Sequence, residues 1–143
     1  MAGLQPGAAD SLVTEFGDEV VLLNERGEIS ECTSANIFMS IGNQVSTPPL
    51  SSGCLPGVTR ELLLNEVTAS GISVAEKALR PEDLEGAEEV FITSTTRDLL
   101  SVVAIEGLKI RQNGSARKNL QSAFSKYVDA YVARARELHR VTR

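Results

Sequence analysis

Three short segments of this 143-residue chain carry groups suited to a small anionic ligand. The first is Leu55-Pro56-Gly57-Val58-Thr59-Arg60, where proline and glycine break the chain and a hydroxyl follows at the start of a helical pattern. A helix start offers free backbone N–H groups and the positive end of the helix dipole, which together suit a phosphate. The same residues also read as an ordinary threonine cap after a loop. The second segment is Thr93-Ser94-Thr95-Thr96-Arg97-Asp98, four hydroxyls in a row at the end of an apolar run. Such strand ends are where α/β proteins gather ligands; the alternative is threonine chosen for its β propensity. The third is Glu31, within Ile29-Ser30-Glu31-Cys32-Thr33-Ser34-Ala35-Asn36-Ile37-Phe38. It reads either as a buried acid held against a cation or as an edge-strand charge facing water.

Holding these groups in place requires strands that end, and a helix that begins, beside them. The pattern predicts a short helix over 8–16 closed by Gly17, then strands over 19–23 and 28–32 joined by the tight turn Asn24-Glu25-Arg26-Gly27. Strands follow over 36–41 and 44–47, turned at Gly42-Asn43, and then a loop rich in proline, serine and glycine over 48–57. A helix starts near Thr59 with Leu62, Leu63 and Val67 inward and Gly71 as its stop. Residues 72–77 read as a strand, Pro81 opens a helical turn, and 89–93 and 99–106 are further strands. Over 115–140, Leu120, Phe124, Tyr127, Tyr131 and Leu138 recur at helical spacing. Strands alternating with helices after a hairpin-rich start indicate an α/β or α+β chain with a mixed sheet.

Composition narrows the ligand classes. A chain of this length has room for about one domain and buries roughly two thirds of its unfolded surface. Hydrophobic residues at 42% and charged ones at 23% are those of a globular protein, and the net charge of −5 argues against nucleic-acid binding. The charge is uneven: −6 over 1–31, −6 over 32–108 and +7 from Lys109 onward. That basic end reads as an anion-binding tail, as the solvated face of a terminal helix, or as a partner for acidic surface of the same protein. No run approaches the ~20 apolar residues of a membrane span, and the N-terminus has no signal-peptide pattern. Cys32 and Cys54 are too few for a disulfide scaffold or a four-ligand metal site and are expected to be buried or half-buried free thiols. A cytoplasmic location is the expectation, and the lone His139 is expected at the surface.

In order and spacing, a longer set of segments is similar to one family. The set comprises Asp18-Glu19, Val21-Leu22-Leu23-Asn24 through Gly27, Ile29-Ser30-Glu31, Asn36-Ile37-Phe38, Thr47-Pro48-Pro49-Leu50, Leu55 to Arg60, Ala87 to Phe91 and Thr93-Ser94-Thr95-Thr96. It resembles the class IV pyridoxal-phosphate aminotransferases, which include branched-chain and D-amino-acid aminotransferases and aminodeoxychorismate lyase. The likeness runs from about residue 18 to 124, and Thr93 to Thr96 sit closer to the transaminases than to the lyase. It implies an α/β fold whose mixed sheet, partly barrel-like, carries flanking helices as in the large domain of D-amino-acid aminotransferases. Residues 1–143 would then be a single domain like the family's C-terminal cofactor-binding domain, with the small N-terminal domain absent. The implied cofactor is pyridoxal 5'-phosphate, expected to bind weakly or not at all to this chain alone. The implied substrates are an amino acid and a 2-oxo acid; charge and hydropathy argue against nucleic-acid and membrane partners, and apolar surface left uncovered without the small domain leads us to expect a homo-oligomer.

Roles follow residue by residue from that resemblance. Glu31 stands where the family's carboxylate faces the pyridine nitrogen, and an anion there keeps the ring protonated as an electron sink. Val58 and Thr59 match the groups that hold the cofactor phosphate, and Thr95 matches a second phosphate-binding hydroxyl. Thr96 falls where the family's loop nears the substrate carboxylate, and Asn36 matches an asparagine that holds the turn behind Glu31. Arg97 and Asp98 lie beside the site without an assigned role. The family's Schiff-base lysine has no counterpart, because the lysines are Lys77, Lys109, Lys118 and Lys126 and none precedes position 77. No catalytic residue is therefore assigned, and the chain alone is expected to be inactive. It reads as a piece of a class IV aminotransferase (or of an aminodeoxychorismate lyase-like enzyme), as a lysine-less relative that binds phosphate compounds or a partner, or as an oligomerisation module. The retained set of Glu31, Thr59 and Thr95 favours the first.

Overall fold

A computed structural model of the chain describes residues 9–14, 17–93 and 98–141. Two strands, β1 (Ala9–Thr14) and β2 (Gly17–Leu23), are followed by β3 (Ile29–Cys32), β4 (Ile37–Ile41) and β5 (Gln44–Thr47). A 3-10 turn at Leu50–Ser52 leads to α1 (Val58–Asn65), β6 (Ser73–Glu76) and α2 (Pro81–Gly86). The chain ends with β7 (Glu89–Thr93), β8 (Leu99–Ile105) and the long α3 (Ala116–Val141). The eight strands form one sheet in the order β3-β2-β1-β8-β7-β4-β5-β6. Every pairing is antiparallel except β5 with β6, so the sheet is mixed, as expected.

The connection between β3 and β4 dictates the shape of this sheet. The two strands stand five positions apart in the order, which in a flat sheet is about 24 Å. Only residues 33–36 join them, and a link of that length reaches at most about 17 Å. The sheet therefore curls. Its two edges approach one another, and Ile29 at the β3 edge donates its N–H to the carbonyl of Leu79, beyond β6, at 2.8 Å. Among the described residues the ladder stays open, so the barrel-like expectation holds as curvature rather than closure.

Alternation along the central strands sorts side chains to the two faces of the curl. Ile37, Met39, Val90 and Ile92 join Val21, Ile29 and Val102 in an inner core. Phe38 and Phe91 point the other way and meet Leu63 of α1 and Leu120 and Phe124 of α3. These two phenylalanines are cross-strand partners whose rings stack with centroids 5.2 Å apart. The start of α3 is fastened to the sheet by polar contacts. The buried Glu89 accepts hydrogen bonds from the Arg117 N–H at 3.1 Å and the Ser40 hydroxyl at 2.9 Å. A carboxylate at that end also complements the helix dipole. Gln121 accepts the Leu99 N–H at 2.6 Å, and Arg117 donates to the Leu99 carbonyl at 2.9 Å.

One element is corrected. The helix expected over 8–16 is absent where the structure describes it, since residues 9–14 form β1 and Gly17 opens β2 rather than stopping a helix. Pairing with β2 on one side and β8 on the other outweighs a weak local helix preference. The helix α1 begins one residue before Thr59 and ends at Asn65, well short of Gly71, while Val67 is still buried. Both cysteines are buried free thiols, and His139 is exposed. The basic residues Arg134, Arg136 and Arg140 are exposed on the second half of α3, which agrees with a solvated face. No described helix is long and apolar enough to cross a membrane.

Candidate functional site

A cavity of about 730 Å³ opens where the 33–36 link, the start of α1, the end of β7 and the middle of α3 converge. Glu31 and Asn36 shape its floor by gripping one residue between them. Glu31 accepts the Leu55 N–H at 2.8 Å, and the Asn36 side-chain amide donates to the Leu55 carbonyl at 3.0 Å. Asn36 is also tied to β7: its N–H donates to the Thr93 hydroxyl, and its carbonyl accepts the Thr93 N–H, each at 3.1 Å. The expectation that Asn36 holds the turn behind Glu31 is thus sharpened, because Asn36 holds the loop that hangs on Glu31. Gly57 completes this junction. A methyl group there would lie 2.3 Å from the Asn36 side-chain oxygen, so any larger residue forces Asn36 to shift.

The rim beside Glu31 is set by Glu19, which accepts the Thr33 hydroxyl at 3.0 Å and the Ser34 N–H and hydroxyl at 3.0 and 2.6 Å. Burial pushes the Glu19 carboxyl up, but the bonds from Ser34 and Thr33 outweigh it and hold the group below its usual range. Cys32 lines the cavity, and its thiol is pushed up to about 12 by burial and then by the Glu19 and Glu31 charges. It is no thiolate nucleophile at neutral pH.

At α1 the first intrahelical bond runs from the Glu61 N–H to the Gly57 carbonyl at 3.0 Å. The N–H groups of Val58, Thr59 and Arg60 lie ahead of it and have no partner within the helix. Gly57 is the N-cap residue and makes no side-chain cap, so the ordinary-threonine-cap reading does not apply. Thr59 lines the cavity with its neighbour Val58, which is 77% exposed. Arg60 turns away from the site into the body of the protein and is only 1% exposed. It donates to the Pro48 carbonyl at 3.1 Å and pairs with Glu76 and Glu61. Burial works against its charge, and the carboxylates of Glu76 and Glu61 more than restore it.

Glu31, Val58, Thr59 and Thr93 therefore share one cavity. Thr95, Thr96 and Arg97 lie outside the described residues. Asp98 is exposed and does not line the cavity. What sequence reasoning missed is the opposite wall, made by Phe124, Tyr127, Val128 and Tyr131 of α3. The only signal for it was the apolar stripe continuing to Tyr131, which gives a face but not what the face meets. All four lysines are described and exposed, and none lines the cavity. No group of acidic, histidine or cysteine residues able to hold a metal occurs among the described residues. A fixed carboxylate, an uncapped helix start with a hydroxyl and an apolar wall suit a flat molecule that bears a basic nitrogen and a phosphate.

Comparison with known proteins agrees with that chemistry. The family model for class IV amino-transferases matches residues 7–105. A putative branched-chain-amino-acid aminotransferase of Methanocaldococcus jannaschii is 36% identical over 109 residues, 75% of this chain and 38% of that protein. The D-alanine aminotransferase of Bacillus licheniformis is 36% identical over 107 residues, 73% of this chain and 38% of that protein. The crystal structure of the Escherichia coli branched-chain amino acid aminotransferase superposes with a TM-score of 0.65 at 34% identity, covering 76% of this chain and 37% of that one. The chain thus spans well under half the length of these relatives. Enzymes of this family depend on pyridoxal phosphate. With the family model covering most of its length, this chain belongs to the class IV aminotransferases.

Proposed function

We propose that these 143 residues form the cofactor-supporting part of an aminotransferase that moves an amino group between an amino acid and a 2-oxo acid. The observation that carries this reading is the single cavity shared by Glu31, the Val58–Thr59 helix start and Thr93. Pyridoxal 5'-phosphate, when bound there, supplies an electron sink for the α-carbon of the amino acid. Glu31 holds a proton on the facing ring nitrogen, and its bond from Leu55 keeps the carboxylate from swinging away. The N–H groups of Val58 and Thr59 and the Thr59 hydroxyl bind the phosphate at the positive end of α1. Thr95 adds a second hydroxyl to the phosphate, and Thr96 meets the substrate carboxylate; family resemblance supports these two roles.

Moving the α-carbon proton requires a base, and nothing described in the cavity serves. No lysine lines it, and Cys32 stays protonated. In this reading the Schiff-base lysine is supplied from outside these 143 residues, and the present chain does not transaminate alone. Exposed apolar side chains at Leu55, Val58 and Tyr131 around the cavity mouth favour association into a homo-oligomer. Free thiols suit the reducing cytoplasm, where we place the protein.

Titration of the chain with pyridoxal phosphate, followed by absorbance, tests the reading. Reversible binding is expected, with competition by inorganic phosphate and no borohydride-reducible adduct on any lysine. Thr59→Val should weaken both ligands, whereas Glu31→Gln should weaken only pyridoxal phosphate. An adduct mapping to one specific lysine, or indifference to both substitutions, overturns it. Reading the DNA in frame upstream of Met1 checks the lysine directly, and a stop codon immediately upstream would sink that part.

A further inference from the structure

We infer that Glu19, which stands outside the cavity, is the positioning residue that keeps Glu31 aimed at the cofactor ring, an inference resting on the proposed function. Strand β2 outruns β3: Cys32 at the end of β3 pairs with Val21, and the Thr33 N–H still reaches the Val20 carbonyl at 3.1 Å. Glu19 comes next along β2, so its side chain meets the 33–36 link where the chain leaves the sheet for β4. Three donors of the link converge there, the Thr33 hydroxyl and the N–H and hydroxyl of Ser34, and one carboxylate accepts them all. Thr33 and Ser34 are exposed, so packing does little to hold them and these bonds set the path of the link. Burial works against the Glu19 charge, but the bonds from Ser34 and Thr33 keep the carboxyl ionised at neutral pH. Hydrogen bonds to an ionised acceptor are roughly twice as strong as neutral ones.

The ladder that carries Glu31 explains why such a clasp is needed. Its register with β2 shifts between Leu22 and Leu23, immediately before Glu31, and its last pair, Val21 with Cys32, comes immediately after. A bulge on one side and a turn on the other leave the direction of a side chain to its neighbours. Asn36, at the far end of the link, is buried and bonded to Thr93, so that end is fixed. Glu19 fixes the near end. The start of α1 is held separately, by Leu63 in the core and by Arg60 on the Pro48 carbonyl. Loss of Glu19 is therefore felt at the ring end of the cavity, where Glu31 grips Leu55, and not at the phosphate end.

The test is titration of the 143-residue chain with pyridoxal phosphate and, separately, with inorganic phosphate. Glu19→Ala should weaken pyridoxal phosphate about tenfold, the cost of one misaligned charge-assisted hydrogen bond, and change phosphate affinity by less than about twofold. Glu19→Gln should bring pyridoxal phosphate binding back to within about twofold of the parent, because the amide oxygen still accepts the Ser34 N–H and the amide nitrogen donates to the Ser34 hydroxyl. A role in stability alone is not rescued in that way. Adding Glu19→Ala to Glu31→Gln should cost nothing further, since both act on one contact. Hydrogen exchange reads the same coupling without a ligand: the Leu55 N–H should exchange about tenfold faster in Glu19→Ala and at the parent rate in Glu19→Gln. If Glu19→Ala fails to fold, Thr33→Val with Ser34→Ala removes two of the three bonds from the exposed side and should give the same selective loss. Pyridoxal phosphate binding that ignores Glu19→Ala, equal loss of both ligands, an additive cycle, or a Glu19→Gln chain as weak as Glu19→Ala overturns the inference while leaving the cofactor site standing. A parent chain that does not bind pyridoxal phosphate fells the proposed function and this inference with it.

Discussion

Replacing Gly57 with alanine sets two opposed effects against each other. The backbone there has φ near −56°, a conformation any residue adopts. On that ground alone, Gly57→Ala should stabilise the fold by about 0.4–1 kcal/mol through a less disordered unfolded chain. The added methyl, however, would sit 2.3 Å from the Asn36 side-chain oxygen and 3.6 Å from its side-chain carbon. Asn36 is buried and cannot retreat without giving up its bond to the Leu55 carbonyl. Losing that bond costs about 1 kcal/mol, and a buried amide left unpaired costs about 1–3 kcal/mol more. The clash wins, and we expect net destabilisation of about 1–3 kcal/mol by urea denaturation followed with far-ultraviolet circular dichroism. That corresponds to a midpoint lower by very roughly 3–10 °C on heating. The cause is isolated by a double-mutant cycle: in an Asn36→Ala background the same Gly57→Ala change should cost nothing or stabilise. A Gly57→Ala protein as stable as its parent, or a cost that persists without Asn36, would refute the reasoning.

Other perturbations have equally definite outcomes. Glu89→Ala strips the acceptor from the Arg117 N–H and the Ser40 hydroxyl and should cost about 2–4 kcal/mol in urea; a loss under about 0.5 kcal/mol would mean α3 is not anchored there. Gly114→Ala should be damaging for the same reason, since its methyl would lie 2.6 Å from a Glu89 carboxylate oxygen. The lowered pKa of Glu19 means that its stabilising contribution is complete above the ordinary glutamate range of about 4.3 and fades as pH falls through the lower folded-state value. Glu19→Gln should therefore be less stable than the parent at neutral pH, with the gap closing on acidification; parallel stability curves would contradict this. The Cys32 thiol, pushed up to about 12, and Cys54, also raised by burial, should resist iodoacetamide at pH 8 until urea unfolds the chain. Rapid labelling of either thiol in the native protein would show that the burial is wrong.

Much of the sheet was readable from the chain because half-buried strands alternate and glycine turns punctuate them. Strands β5 and β7 fall where the pattern put them, at Gln44–Thr47 and Glu89–Thr93. Strand β1 escaped notice because its stabilising partners are elsewhere in the chain, and Ala9, Asp10 and Ser11 carry no strand alternation. The curl was legible only by family likeness, although the short 33–36 link implies it once the strand order is known. In the site, Glu31 and the α1 start each allowed an ordinary structural reading, and only the family likeness of the ordered segments gave them roles. The α3 wall gained none, because leucine-like periodicity looks the same whether a helix faces a core or a ligand. Gly57 was legible as a chain break, but its packing against Asn36 joins positions 21 residues apart and needs coordinates to see.

Strand β1 lies in the middle of the sheet, and its partner on one side, β8, comes about ninety residues later. At synthesis rates of about 5–20 residues per second, β1 leaves the ribosome roughly 5–20 s before β8 is available. During that interval the β1–β2 hairpin presents an unpaired edge, the feature of a growing chain most prone to capture by a neighbour. Strand β8 covers that edge of β1. Closure of this sheet thus depends on a contact of high sequence separation, a feature that goes with slow folding.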